Sequence, residues 1–134
     1  MAKRDLLFKK FFLVAALYDL LLGIIFLTMY KQVYAYFGIA LPNSPMYLLL
    51  AAAFVFANGV GYCFVYKNMY RNIDLVKLGV IYKAIYSITA VYFFLTGEAH
   101  VIFFIFAILD AIFLLLFVSF LNYAKKDGRY LKWK

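Results

Sequence analysis

Four long apolar stretches, separated by short polar segments, run along the chain. They lie at about residues 7–30, 45–66, 75–96 and 99–121, and a basic tail follows at 122–134. A helix of about 20 residues crosses the ~30 Å hydrocarbon core of a bilayer. The pattern therefore predicts an all-α polytopic membrane protein. We expect an antiparallel bundle of four transmembrane helices in one domain, residues 1–134.

Composition supports this class. The chain is 69% hydrophobic and 22% aromatic. A soluble domain of this size has no interior large enough for so much apolar surface, so most of it should face lipid. The lipid bilayer is thus the first expected partner.

The charged residues predict an orientation. The leader at 3–10, the turn at 67–77 and the tail at 122–134 hold twelve of the 14 Lys and Arg residues, whereas the other side has only Lys31. The positive-inside rule then places both termini on the cytoplasmic side of the membrane. The net charge of +8 is explained by topology and by anionic headgroups, so nucleic acid is not expected as a partner.

Polar residues near the middle of the apolar stretches are the candidate site. Lys83 lies within the third stretch, where a charge costs about 2.5–3.5 kcal/mol on insertion scales and is usually paired. Asp19, Asn58 and Asp110 occupy the other three stretches, and we expect all four side chains to form one intramembrane cluster. With two carboxyl groups sharing one lysine, one of them should carry a proton at neutral pH. The expected supporting residues are Tyr18, Tyr62, Tyr82 and Ser87.

Small and polar residues repeat at four-residue spacing in three stretches, which places each set on one helix face. The sets are Ala15, Asp19 and Gly23 in the first, Ala53, Ala57 and Gly61 in the second, and Gly79, Lys83 and Ser87 in the third. We interpret these faces as sites of close helix packing. Asn58 should then make a hydrogen bond to another helix.

The longest connection, residues 31–45, is expected to lie along the membrane surface. Gly38 and Pro42 should interrupt a regular helix there. Ser44 is expected to cap a second helix that has Pro45 at its first position.

Other sequence features point away from common site chemistries. The single cysteine, Cys63, cannot form an intrachain disulfide. Glu98 and His100 share a short connection, but two ligands make a poor metal site. The sequence has no HExxH motif, no nucleophile elbow and no second histidine for haem. We therefore expect no metal and no cofactor.

The motifs of the chain resemble those of a group of small four-helix bacterial membrane proteins with a DoxX-like layout. The segments are YDLLLG at 18–23, GVGYCFVYKNMYRN at 59–72, LGVIYK at 78–83 and LDAIFLLLFVSFL at 109–121. The residues that match the pattern of the group are Gly59, Gly61, Tyr62, Gly79, Lys83 and Asp110. Asp19 departs from it, since the relatives more often carry an amide there. The resemblance implies the fold and a location in a bacterial inner membrane, but no particular reaction.

Three functions are compatible with these features. The leading interpretation is an accessory or interaction subunit, in which the ion pair fixes helix register and the partners are other membrane subunits. The second is an oligomeric transporter or channel for small solutes or protons that uses Asp19, Lys83 and Asp110. The third is a membrane enzyme or a binder of a lipid or quinone-like ligand, and an enzyme is the less favoured of these.

Overall fold

The computed structural model describes residues 2–129, and residues 130–134 of the predicted tail lie outside this part. The helices are α1 (Lys3–Tyr36), α2 (Met46–Lys67), α3 (Ile73–Leu95) and α4 (Val101–Lys126). Each is long and apolar enough to cross a membrane. Within the described residues the chain is helical, without strands.

The first helix is longer than predicted. α1 begins at Lys3, four residues earlier than predicted. It also continues through Tyr36 instead of ending near residue 30, so the first six residues of the expected surface segment are helical. Helical backbone angles are interrupted at Met29, with φ −128° and ψ 20°. Residues 30–37 contain no glycine or proline that would end the helix. The helix ends before Gly38, whose φ of 64° is not helical. The next amide, at Ile39, bonds back to the Tyr34 carbonyl at 2.8 Å, which completes a glycine-terminated C-cap of the Schellman type.

The remaining boundaries are closer to expectation, with two differences. α4 continues to Lys126, five residues into the predicted tail. Before α2, the N-cap residue is Pro45 and no side chain caps the helix. The capping role expected of Ser44 and the first helical position expected of Pro45 are therefore wrong, since α2 begins at Met46. The α2 and α3 boundaries otherwise agree to within two residues with the predicted ones.

Glycines bring α1 and α2 into close contact. A Cβ atom on Gly23 would lie 2.8 Å from the Phe56 Cα, and one on Gly59 would lie 2.7 Å from the Leu20 backbone nitrogen. A side chain at either position would collide with backbone, which cannot move aside as a side chain can. These two glycines therefore set the distance between the helices.

The predicted packing faces of α1 and α3 are confirmed, but that of α2 is wrong. Ala53 and Ala57 are exposed, and a Cβ on Gly61 would contact nothing within 4 Å. The buried face of α2 instead contains Ala52, Gly59, Tyr62 and Val65. Small residues repeat on two faces of α2, and spacing alone does not say which of them meets α1.

The molecule consists of two helix pairs, and the helices pack more closely within each pair than between the pairs. α1 packs along α2, and α3 packs along α4, while contacts between the two pairs are sparser. The larger core joins the beginnings of α1 and α3 to the ends of α2 and α4, with Phe12, Val76 and Phe120 fully buried. A smaller core around Phe26 and Ala52 lies toward the other end. The tight contact between the pairs is therefore at one end of the bundle.

Candidate functional site

Lys83 lies between two carboxylates at the junction of the helix pairs. Its Nζ atom is 2.7 Å from Oδ1 of Asp110 and 3.3 Å from Oδ1 of Asp19. All three residues are buried, with exposed fractions of 0% for Lys83, 1% for Asp19 and 6% for Asp110. Asp19 belongs to the α1–α2 pair, whereas Lys83 and Asp110 belong to α3 and α4. The ion pair between Lys83 and Asp19 therefore connects the two helix pairs.

Aromatic rings surround the ammonium group of Lys83. The centroids of Tyr18, Tyr62, Tyr82 and Phe113 lie 5.3–5.9 Å from Nζ, a distance at which ring faces attract a cation. These rings exclude water, which strengthens the attraction between Lys83 and its carboxylates.

Gly79 makes room for Tyr62 in this enclosure. A Cβ on Gly79 would lie 2.6 Å from the Tyr62 hydroxyl oxygen. The hydroxyls of Tyr62 and Tyr18 are buried, and neither meets a hydrogen-bond partner within residues 2–129. Two donors are therefore available beside the charged cluster.

A cavity of about 100 Å³ adjoins the cluster and extends between the two helix pairs. The carboxyl residues Asp19 and Asp110 belong to its lining, together with the phenol-bearing residues Tyr18, Tyr82 and Tyr86. The remaining wall is apolar and consists of Leu22, Phe26, Leu48, Ala51, Ala52, Val55, Phe103 and Phe106. A buried water needs about 10–15 Å³ of such space, so the cavity can hold several waters or a small organic group.

The structure brings together most of the residues predicted from the sequence. Tyr18, Tyr62 and Tyr82 all lie close to Lys83. The Ser87 hydroxyl, one turn further along α3, donates to the Ala107 carbonyl on α4 at 3.0 Å. The Gly79, Lys83 and Ser87 face therefore packs as expected.

Asn58 behaves differently. Its side-chain amide donates to the Phe54 carbonyl at 3.0 Å, one turn earlier in α2. The expected hydrogen bond to another helix is not formed, because the amide satisfies itself on its own backbone. The observed cluster therefore consists of Asp19, Lys83 and Asp110.

Two site residues were missed from the sequence, Tyr86 and Phe113. Tyr86 follows Lys83 by three residues, and Phe113 follows Asp110 by three. Residues three apart share a helix face, so this spacing would have identified both. In stretches so rich in aromatic residues, however, many other rings have equally suitable spacings.

His100 has a structural role. Its Nδ1 atom accepts a hydrogen bond from the Ile102 amide at 3.2 Å and caps the start of α4. Within the described residues, no group of three or more His, Cys, Asp or Glu side chains is placed to hold a metal ion.

Comparison of the chain with protein-family models, curated proteins and solved structures finds no match to any of them. The resemblance to the DoxX-like group stays a prediction that rests on the motif residues. What the site can do must then be inferred from its chemistry. Two carboxyl groups that share one ammonium can bind a further positive charge, either a proton or a second cation.

Proposed function

We propose that the chain is an antiparallel four-helix bundle in a bacterial inner membrane, with both termini in the cytoplasm, that binds a small organic ammonium ion in exchange for a proton. Four membrane-length helices and the basic residues at one end support the placement. The observation that carries the function is the cavity, whose lining includes two carboxyl groups paired with a single lysine.

The charge of the cluster requires a counter-ion. With both carboxylates and Lys83 ionised, the cluster would carry a net charge of −1 in a region of low dielectric, which is unfavourable. A proton on one carboxyl neutralises it. Lys83 lies closer to Asp110, at 2.7 Å, than to Asp19, at 3.3 Å. Asp19 has the weaker ion pair and therefore carries the proton in the resting state.

An entering ammonium ion would take the place of that proton. It would lie against the Asp19 carboxylate, while the rings of Tyr82 and Tyr86 offer cation–π contacts. The cavity volume of about 100 Å³ can be compared with the cavity of about 150 Å³ that binds benzene. The ligand is thus a small amine, or the ammonium head of a larger amphiphile.

The test is calorimetric titration of the purified protein with benzylammonium at several pH values, combined with a measurement of released protons. We expect about one proton released per ligand at neutral pH, and affinity that rises by up to about tenfold per pH unit while Asp19 is protonated. Asp19→Asn resembles the protonated side chain but cannot release the proton, so it should lose both the release and the pH dependence.

A matched control is Asp74→Asn, which removes an exposed carboxylate that pairs with Lys77 on the same helix. It should bind benzylammonium as the wild type does. Equal affinity and equal proton release in wild type and Asp19→Asn would contradict the exchange. A quinone-like ligand is neutral and would bind without releasing a proton. Titration with such a ligand in the same assay therefore separates that alternative. Uptake by proteoliposomes under a pH gradient would separate a transporter from a binding protein.

An accessory subunit is the second candidate, favoured by the length of α1. Its 34 residues correspond to about 51 Å of helix at 1.5 Å per residue, in two parts that meet at Met29, and this length exceeds the ~30 Å hydrocarbon core. Tyr36, at its end, is 86% exposed and could contact another subunit. Native mass spectrometry of the protein extracted gently from its membrane tests this: a bound foreign protein supports a subunit, and a bare chain or a homo-oligomer argues against one.

A further inference from the structure

A second polar cluster lies where α1 begins and α4 ends. The Asp5 carboxylate is 3% exposed and accepts hydrogen bonds from the Arg129 guanidinium at 2.8 and 3.2 Å. The Tyr70 hydroxyl donates to the same carboxylate at 2.7 Å. The guanidinium also lies over the Tyr70 ring, 4.2 Å from its centroid. These contacts hold Arg129 in place.

The protonation states within this second cluster are well defined. Desolvation and the hydrogen bond to Asp5 raise the pKa of Tyr70, so the phenol stays neutral and remains a donor. The hydrogen bond to Asp5 also raises the pKa of Arg129, which stays charged. Arg129 thus serves as counter-ion to Asp5, and its guanidinium also pairs with Asp127.

A second cavity, of about 260 Å³, opens beside these residues. Its lining adds Lys9, Tyr66, Lys67, Asn68 and Met69 to Asp5, Tyr70 and Arg129. Among residues 2–129, neither Lys9 nor Lys67 forms an ion pair with a carboxylate. Arg129 is shared by Asp5 and Asp127, so with the two lysines the cavity and its ion-pair partners keep an excess of one positive charge.

Local contacts restrain two of the polar side chains that line this cavity. The Nζ atom of Lys9 lies 4.9 Å from the centroid of the Tyr66 ring, which restrains the ammonium. The carbonyl oxygen of the Asn68 side chain accepts from the Arg71 backbone amide at 3.0 Å, so its NH₂ group remains available as a donor. Two lysines and an asparagine with a free amide donor therefore line the same cavity.

We infer that this cavity binds a phosphate group, from either a phospholipid headgroup or a soluble phosphate ester. Ammonium groups form strong charge-assisted hydrogen bonds with phosphate oxygens. In the proposed membrane orientation, the cavity lies at the cytoplasmic boundary, where anionic headgroups accumulate. Its residues are separate from the Asp19, Lys83 and Asp110 cluster, so phosphate binding at this site does not depend on amine binding at the other.

The test is native mass spectrometry of the full chain in detergent, titrated with dioctanoyl phosphatidic acid and, separately, with glycerol phosphate. Lys9→Gln combined with Lys67→Gln should weaken binding at least about tenfold, because each removes a charge-assisted hydrogen bond. Lys9→Arg with Lys67→Arg keeps the charges and should retain binding. Lys10→Gln with Lys125→Gln is the matched control, since it removes the same charge from two exposed lysines outside the cavity.

The two probes separate the two sources of phosphate. Saturable binding of phosphatidic acid that glycerol phosphate does not displace supports a lipid headgroup. Displacement by glycerol phosphate, with the same loss in the Lys9 and Lys67 variant, supports a soluble phosphate ester. The proposal is overturned if neither probe binds saturably to the wild type, or if the Lys10 and Lys125 control weakens binding equally.

Discussion

Replacing Lys83 with methionine tests the central ion pair most directly. Methionine keeps an unbranched side chain of similar length but removes the ammonium that contacts Asp110 at 2.7 Å and Asp19 at 3.3 Å. Because Lys83 is fully buried, its removal leaves two buried carboxyl groups without their positively charged partner. Removing one partner of a buried pair costs about 3–5 kcal/mol, and we expect Lys83→Met to lower the free energy of unfolding by this amount at pH 7.

The pH dependence of this loss can be worked out from the proposed protonation state. The wild-type cluster holds one carboxyl proton, on Asp19, whereas the variant must also protonate Asp110 to become neutral. On folding, the variant thus takes up one carboxyl proton more than the wild type, whose Lys83 is protonated in both the folded and the unfolded state. Lowering the pH favours the state with more protons, so the deficit should shrink by about 1.4 kcal/mol per pH unit. Between pH 7 and pH 5 the variant should recover about 2.7 kcal/mol relative to the wild type.

The assay is unfolding by SDS in mixed micelles at pH 7 and pH 5. Lys77→Met is the matched control on the same helix, since Lys77 pairs with the exposed Asp74 at 2.6 Å, and exposed pairs contribute about 0–1 kcal/mol. A Lys83→Met protein as stable as the wild type, or a deficit that does not change with pH, would refute the reasoning.

A double variant separates a structural from a working cluster. Lys83→Met with Asp110→Leu removes the charged pair and leaves Asp19 protonated, so most of the stability should return. If this stable double variant no longer binds benzylammonium, the pair has a role in ligand binding. If it binds as the wild type does, Lys83 and Asp110 are structural only.

Two pairs of substitutions test the packing. Gly79→Ala should destabilise the protein by about 1–3 kcal/mol, because its Cβ would lie 2.6 Å from the Tyr62 hydroxyl. Gly61→Ala should be neutral or stabilising, because its Cβ would meet nothing within 4 Å. Thermal unfolding in detergent distinguishes the two variants. Ser87→Ala loses a hydrogen bond to α4 and should cost about 0.6–1.7 kcal/mol. Asn58→Ala loses only a bond within its own helix and should cost less in the same assay, whereas an equal or larger cost would mean that Asn58 contacts another helix.

The charged part of the site could be predicted from the sequence. A lysine inside a membrane-length stretch must find an opposite charge, and Asp19 and Asp110 were the carboxyl residues within the other stretches. Asn58 was misplaced because an asparagine can satisfy its amide within its own helix. The cavity was not predictable at all, since it arises from sparse contact between two helix pairs.

The faces of α2 show why packing was harder to predict than helix formation. In a soluble helix, the apolar stripe marks the core. In a membrane helix, lipid is as apolar as the protein interior, so hydrophobicity does not distinguish the two faces. Ala52 is buried and Ala53 is exposed, although the sequence makes them equivalent.

The four apolar helices and the need of Lys83 for a carboxylate partner follow from the sequence, because span length and the cost of a buried charge are properties of each segment. The closer pairing of Lys83 with Asp110 than with Asp19 is a property of the folded molecule, and so is the cavity beside both carboxyl groups. These features depend on how closely the two helix pairs approach each other, and contacts between the pairs are sparser than contacts within them. No single segment of the chain contains that information.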